Sequence, residues 1–211
     1  MRLEAILTRV PVIPVLTIDD PNDAVPLGWA LAAGGLTVLE VTLRTDAALD
    51  CIAAMAAAID GVVIGAGTVL TGAMRSTAAA AGASFAVSPG LIDDEAAESG
   101  IPLLPGVATA SEVMRGLAAG FTCFKLFPAE AAGGMRILQA FAAPFPQAKF
   151  CPTGGVDAAN AGRYLTLANV LCVGGSWVAP GDAIRTRDWT RITLLARAAA
   201  KLRPTASVNP A

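Results

Sequence analysis

A lysine sits in the middle of an otherwise apolar stretch, Thr122-Cys123-Phe124-Lys125-Leu126-Phe127-Pro128-Ala129-Glu130. Burying an ammonium group is expensive, so a charge placed there needs a reason. Lysine is also scarce, since Lys125, Lys149 and Lys201 are the only ones in the chain. Two readings compete. In one, Lys125 lies at a strand edge and its ammonium snorkels to water. In the other, it is a desolvated amine kept for nucleophilic chemistry. The chain contains no histidine, which removes Ser-His-Asp and Cys-His catalysis together with His-ligated zinc. Acid–base work must therefore fall to Glu, Asp, Lys, Tyr or Cys.

Other polar and glycine-rich residues cluster where apolar runs end. In Glu40-Val41-Thr42-Leu43-Arg44-Thr45 a period of two puts Glu40, Thr42 and Arg44 on one face. Glu40 and Arg44 form either a structural ion pair or an acid–base carboxylate below an arginine that grips a substrate anion. Gly65-Ala66-Gly67-Thr68 leaves room for a ligand and offers a hydroxyl, or is simply a glycine-rich turn. Ser88-Pro89-Gly90 and Pro105-Gly106 read as tight turns. Pro152-Thr153-Gly154-Gly155 and Gly174-Gly175-Ser176 carry paired glycines that can aim bare backbone N–H groups at an anion. A phosphate-bearing substrate fits that pair of turns.

An inward lysine, a carboxylate, an arginine and a phosphate cradle together suggest Schiff-base chemistry on a phosphorylated oxo acid. The amine adds to a ketone, loss of water gives an iminium, and the iminium drains electrons from a breaking carbon–carbon bond. That route needs no metal and no cofactor.

The elements that must hold these residues alternate strand and helix almost without interruption. After a short N-terminal helix at Arg2–Arg9, strands are expected at Val12–Ile18, Leu36–Leu43, Val62–Val69, Ser84–Ser88 and Pro102–Val107. Three more follow, around Lys125, at Lys149–Pro152 and at Val170–Val173. Helices are expected at Asp23–Ala33, from Thr45 and Asp46 to Ala58, and at Thr71–Ala81, Asp93–Glu98, Ser111–Ala119, Gly134–Phe141, Asp157–Leu165 and Asp188–Leu202. The strands are continuous apolar runs, as in a parallel sheet covered by helices. Eight such units with no linker predict one domain over residues 1–211, a compact (β/α)8 TIM barrel with a short N-terminal helix, its core at about 12–202 and a frayed tail at 203–211. A doubly wound open sheet is the alternative, because periodicity does not report closure. In a barrel, chemistry collects where strands run out into loops, and the loops after the seventh and eighth strands commonly bind phosphate.

Composition narrows the partners. Net charge is −2 with scattered arginines, which argues against nucleic-acid and anionic-membrane surfaces. The chain is 55% hydrophobic, yet each apolar run is interrupted before the length of a membrane span. Arg2, Glu4 and Arg9 break the apolar core that a secretory signal would need. Cys51, Cys123, Cys151 and Cys172 show no CxxC spacing and read as reduced core residues. The expectation is a cytoplasmic protein with surplus apolar surface suited to an oligomer interface.

Taken together, Val38-Leu39-Glu40-Val41-Thr42-Leu43-Arg44-Thr45, Gly65-Ala66-Gly67-Thr68-Val69-Leu70, Ser88-Pro89-Gly90, Phe124-Lys125-Leu126-Phe127-Pro128-Ala129-Glu130, Cys151-Pro152-Thr153-Gly154-Gly155 and Gly174-Gly175-Ser176-Trp177 resemble the 2-keto-3-deoxy-6-phosphogluconate (KDPG) aldolase family. The resemblance runs from about Val12 to Lys201. It implies a class I aldolase on a (β/α)8 barrel, cleaving 2-dehydro-3-deoxy-6-phosphogluconate to pyruvate and glyceraldehyde 3-phosphate in the Entner–Doudoroff pathway. By position it implies Lys125 as Schiff-base lysine, Glu40 as acid–base residue, and Arg44 and Thr68 at the pyruvate carboxylate, with Phe127 beside the pyruvate. Thr153, Gly154, Gly155 and Ser176 match the pocket for the rest of the substrate and its phosphate, with Gly174 and Gly175 beside them. It also implies a homotrimer, and a secondary cleavage of 4-hydroxy-2-oxoglutarate. The alternatives are the enzyme acting on the galactonate epimer, a phosphate-binding barrel isomerase in which Lys125 is only electrostatic, and a non-catalytic phosphosugar-binding barrel.

Overall fold

A computed structural model describes residues 2–92 and 100–202. The expected helix at Asp93–Glu98 and the tail 203–211 lie outside the described residues. The chain opens with α1 (Leu3–Leu7), β1 (Val12–Leu16), α2 (Pro21–Ala33), β2 (Val38–Thr42), α3 (Ala48–Ala58) and β3 (Val63–Gly67). It continues with α4 (Gly72–Ala80), β4 (Phe85–Val87), β5 (Leu103–Leu104), β6 (Gly106–Val107), α5 (Ala110–Ala118), β7 (Cys123–Leu126) and α6 (Gly134–Ala142). The described part ends with β8 (Lys149–Pro152), α7 (Ala161–Tyr164), β9 (Val173–Gly175), α8 (Gly181–Arg185) and α9 (Trp189–Ala200).

The starts of α2, α4, α5 and α9 follow side chains that accept from orphan backbone donors. Asp20 accepts from the Asn22 N–H ahead of α2, with Pro21 as the first helical residue. Thr109 and Glu112 form a reciprocal capping box at α5. Asp188 accepts from the Arg191 N–H at α9.

Among the described residues all the strand pairs are parallel. One sheet runs β5-β4-β3-β2-β1-β9 and the other β6-β7-β8. The two meet twice. The expected strand Pro102–Val107 is split at Pro105: Leu103 and Leu104 pair with β4, whereas Gly106 and Val107 pair with β7. Proline has no N–H for a ladder, but its carbonyl accepts from the Lys125 N–H at 2.8 Å. On the other side, single parallel bridges join Thr153 to Gly174 and Phe150 to Val170.

Three expectations shift. The last strand is Val173–Gly175 rather than Val170–Val173, because it pairs with β1 through Val12, Ile13 and Pro14. The helix expected at Asp157–Leu165 is reduced to Ala161–Tyr164. Asp157 Oδ1 accepts from the N–H groups of Ala159 and Asn160, a local turn that competes with a helical start. The short helix α8 carries no strong periodic signal and was not anticipated.

The core lies between the sheets and the helices and explains which way β7 faces. The Phe124 ring packs against Gly116 of α5, where an added Cβ would come within 2.4 Å of it. Phe150 stacks near both Phe124 and Phe141, each with ring centroids 6.0 Å apart. Phe124 and Phe150 therefore face the helices, and strand alternation turns Cys123, Lys125 and Cys151 to the opposite, inner side.

Candidate active site

Inward placement leaves Lys125 with 3% of its surface exposed, and Glu40 with 4%. Snorkelling is therefore ruled out. Lys125 Nζ donates to Glu40 Oε1 at 3.4 Å and lies 5.2 Å from the centre of the Phe127 ring. Glu40 sits in β2 with Val15 and Gly65 beside it in register. Its side chain then leans over Gly67, where a Cβ would come 2.2 Å from Oε1. Only glycine at 67 lets the carboxylate occupy that position. Gly65 similarly leaves space for the Phe85 ring, 2.3 Å from a hypothetical Cβ.

Arg44 lies just beyond β2, and its Nε donates to Thr68 Oγ1 at 3.0 Å. Among the described residues Glu40 pairs with Lys125, and no ion pair joins it to Arg44. Thr68 adopts φ +58°, the left-handed region that a β-branched residue seldom enters. That backbone turn sets its hydroxyl against the guanidinium. A cation and a hydroxyl held together in this way suit one carboxylate.

Thr153 is buried, with Oγ1 3.4 Å from the Cys151 carbonyl and its side chain packed where a Cβ on Gly174 would sit, 2.3 Å from Oγ1. Gly154 and Gly155 follow with φ of +96° and +78°. Gly175 makes room for the Trp177 ring, and Ser176 is exposed just past β9. Of the sequence-expected residues, Lys125 meets Glu40 and Phe127, Arg44 meets Thr68, Thr153 lies against Gly174 and Gly154 lies against Phe127, while Ser176 stays at the exposed edge.

Cys123 shares the inner face with Lys125, but burial raises its thiol pKa and keeps it protonated. Cys51 is pushed up to about 11, chiefly by burial. Lys125 is the inner-face group that has a carboxylate in direct contact. Lys149, at the start of β8, instead donates to the Ala168 carbonyl at 3.3 Å. Among the described residues no group of three or more His, Cys, Asp and Glu side chains is placed to hold a metal ion.

Two features escaped the sequence reading. One is Gly67 as clearance for Glu40, which only strand register reveals. The other is Tyr164, the chain's single tyrosine, which is 1% exposed and donates its hydroxyl to Glu130 Oε1. Its rarity was the available signal. Burial, then the Glu130 hydrogen bond, raise the phenol pKa well above its ordinary value. Above about pH 10 the unfolded chain loses this proton while the folded one keeps it, so stability is intact below that pH and falls above it. Melting midpoints between about pH 9 and 11.5 should fall more steeply for the wild type than for Tyr164→Phe. Equal slopes would show that this phenol does not contribute.

Comparisons with known proteins give the family. The profile of the family described as "Aldolase: KDPG and KHG aldolase" matches residues 3–195. The 2-dehydro-3-deoxy-phosphogluconate aldolase of Pseudoalteromonas atlantica is 51% identical over 197 residues, 92% of either chain. The KHG/KDPG aldolase of Escherichia coli K12 is 51% identical over 199 residues, 93% of either chain. Among solved structures, the KDPG aldolase of Legionella pneumophila superposes with a TM-score of 0.91 at 47% identity, covering 95% of this chain and 98% of its own. That structure holds pyruvate captured at low pH as a covalent carbinolamine intermediate. With a family-wide profile spanning nearly the whole chain and relatives at half identity, the chain belongs to the KDPG and KHG aldolase family.

Proposed function

We infer that this protein is a class I aldolase that cleaves 2-dehydro-3-deoxy-6-phosphogluconate to pyruvate and D-glyceraldehyde 3-phosphate. One observation carries the reading: an amine and a carboxylate, both almost wholly buried, meet at 3.4 Å on the inner face of the sheet. Lys125 first gives a proton to Glu40, the neutral amine attacks the C2 ketone to give a carbinolamine, and return of that proton to the carbinolamine hydroxyl lets water leave. The resulting iminium draws in the electron pair of the C3–C4 bond as the C4 hydroxyl loses its proton. Glyceraldehyde 3-phosphate departs and an enamine remains. Protonation at C3 and hydrolysis release pyruvate and free Lys125. Each proton transfer falls to Glu40, the carboxylate in contact with the amine.

The residues around this pair take matching roles. Arg44 and Thr68 hold the substrate carboxylate, and Phe127 covers the pyruvate carbons. Thr153 lines the pocket, while Gly154, Gly155, Gly174, Gly175 and Ser176 receive the phosphate end. In this arrangement Gly174 and Gly175 give clearance, since both lie within the β9 ladder.

The architecture that suits this chemistry is a closed (β/α)8 barrel. Two features support closure: the break at Pro105, which lets one extended segment pair on both sides, and the Thr153–Gly174 bridge between β8 and β9. The protein acts in the Entner–Doudoroff pathway in the cytoplasm, which accords with the buried thiols of Cys51, Cys123 and Cys151. Among the described residues no helix is long and apolar enough to cross a membrane. Exposed Trp29, Leu70, Met114 and Leu194 offer apolar surface for contact between copies, and the assembly in this reading is a homotrimer. A secondary cleavage of 4-hydroxy-2-oxoglutarate is part of the same reading, because it presents the same oxo-acid end to Lys125 and also yields pyruvate.

Incubation with pyruvate and borohydride should leave a reduced adduct on Lys125, read by peptide mass spectrometry; its absence would sink the Schiff-base mechanism. Glu40→Gln should lower kcat about 10²–10⁴-fold with little change in pyruvate capture. Turnover near wild type would make Glu40 a structural partner of Lys125. Sedimentation equilibrium should return three times the chain mass, and a monomer or dimer would contradict the trimer.

A further inference from the structure

The turn assigned above to the phosphate end is held in place from behind. The carbonyl of Thr153 accepts from the Ala129 N–H at 2.8 Å, and that of Gly154 from the Glu130 N–H at 3.1 Å. The carbonyl of Gly155 accepts from Asn160 Nδ2 at 2.9 Å. In a trans peptide the N–H points opposite to the preceding carbonyl. Anchoring the Gly154 and Gly155 carbonyls outward therefore aims the N–H groups of Gly155 and Val156 to the other side. The positive φ values at Gly154 and Gly155 permit this sequence of peptide orientations.

The anchoring segment is itself fixed by one side-chain contact. Glu130 lies against Gly155, whose hypothetical Cβ would come 2.7 Å from the Cβ and Cγ of Glu130. Its carboxylate accepts the hydroxyl of buried Tyr164 in α7. Behind this contact lies a cavity of about 370 Å³, lined by Glu130, Gly133, Gly134, Asn160 and Tyr164 among others. The Glu130 side chain thus lies between the turn and this cavity, and the hydrogen bond to Tyr164 fixes its carboxylate there.

We propose that Glu130 and Tyr164 are positioning residues that lock the Thr153-Gly154-Gly155 turn for recognition of the substrate's phosphate end. The proposal rests on the aldolase reading above. Neither residue touches the reacting carbons. Glu130 brings a negative charge near an anion site, which is unhelpful to phosphate unless the carboxylate is committed elsewhere. Tyr164 provides that commitment. The pair should affect affinity for the phosphorylated substrate while leaving the chemistry at Lys125 alone.

The test uses wild type, Glu130→Ala, Glu130→Gln and Tyr164→Phe, with two readouts: borohydride capture of pyruvate, and kinetics on 2-dehydro-3-deoxy-6-phosphogluconate and its unphosphorylated counterpart. Glu130→Ala and Tyr164→Phe should each raise KM for the phosphorylated substrate about tenfold. Pyruvate capture and kcat/KM on the unphosphorylated sugar acid should stay within about twofold. Glu130→Gln should behave as wild type or better, because its amide oxygen still accepts from Tyr164 without the charge. An unchanged KM in Tyr164→Phe, a parallel loss of pyruvate capture, or a failure of Glu130→Gln to rescue would each overturn the proposal. A wild type that neither captures pyruvate nor cleaves the substrate would instead overturn the aldolase reading itself.

Discussion

Placing an ammonium and a carboxylate together inside a protein removes both from water, and the attraction between them offsets that loss only when geometry is good. Lys125 and Glu40 meet at 3.4 Å with almost no exposure, so neither is easily replaced alone. Leaving one charge buried without the other typically costs about 3–5 kcal/mol. The surrounding structure is arranged around this contact. Phe124 and Phe150 turn their rings to the helices, which forces the lysine inward. Gly67 leaves the space into which the Glu40 side chain leans.

Small residues at strand ends recur for one reason. A parallel sheet brings neighbouring strands to a fixed spacing, so a large side chain on one strand needs a small one beside it. Phe85 over Gly65, Glu40 over Gly67 and Thr153 over Gly174 are three instances of the same rule. Gly65, Gly67 and Gly174, which look like parts of flexible turns in the sequence, are in the fold places where a neighbour's side chain lies. Within the candidate site, Gly154 and Gly155 are the glycines that serve a turn, with positive φ and hydrogen-bonded carbonyls.

Much of this was legible beforehand. Continuous apolar runs alternating with Ala-rich helices gave a parallel α/β arrangement, since helices that cover both sides leave no polar face to alternate. Lysine scarcity and the lack of histidine singled out Lys125, and the quoted motifs pointed to the aldolase family. The miscounts arose where local patterns compete with pairing. Asp157 and Asn160 spend their side chains on a turn that shortens α7. β9 lies further along than its apolar run suggested, because its register is set by β1.

By itself, the sequence determined the class of fold, the candidate nucleophile and the set of polar residues gathered at strand ends, because periodicity and residue chemistry are local properties. It left open whether Lys125 reaches water, and whether Glu40 answers to Arg44 or to the lysine. Tertiary structure decided both. Glu40 and Lys125 are 85 positions apart in the chain, and which carboxylate meets which cation depends on strand register and on the side to which each strand faces, two quantities that no local pattern encodes.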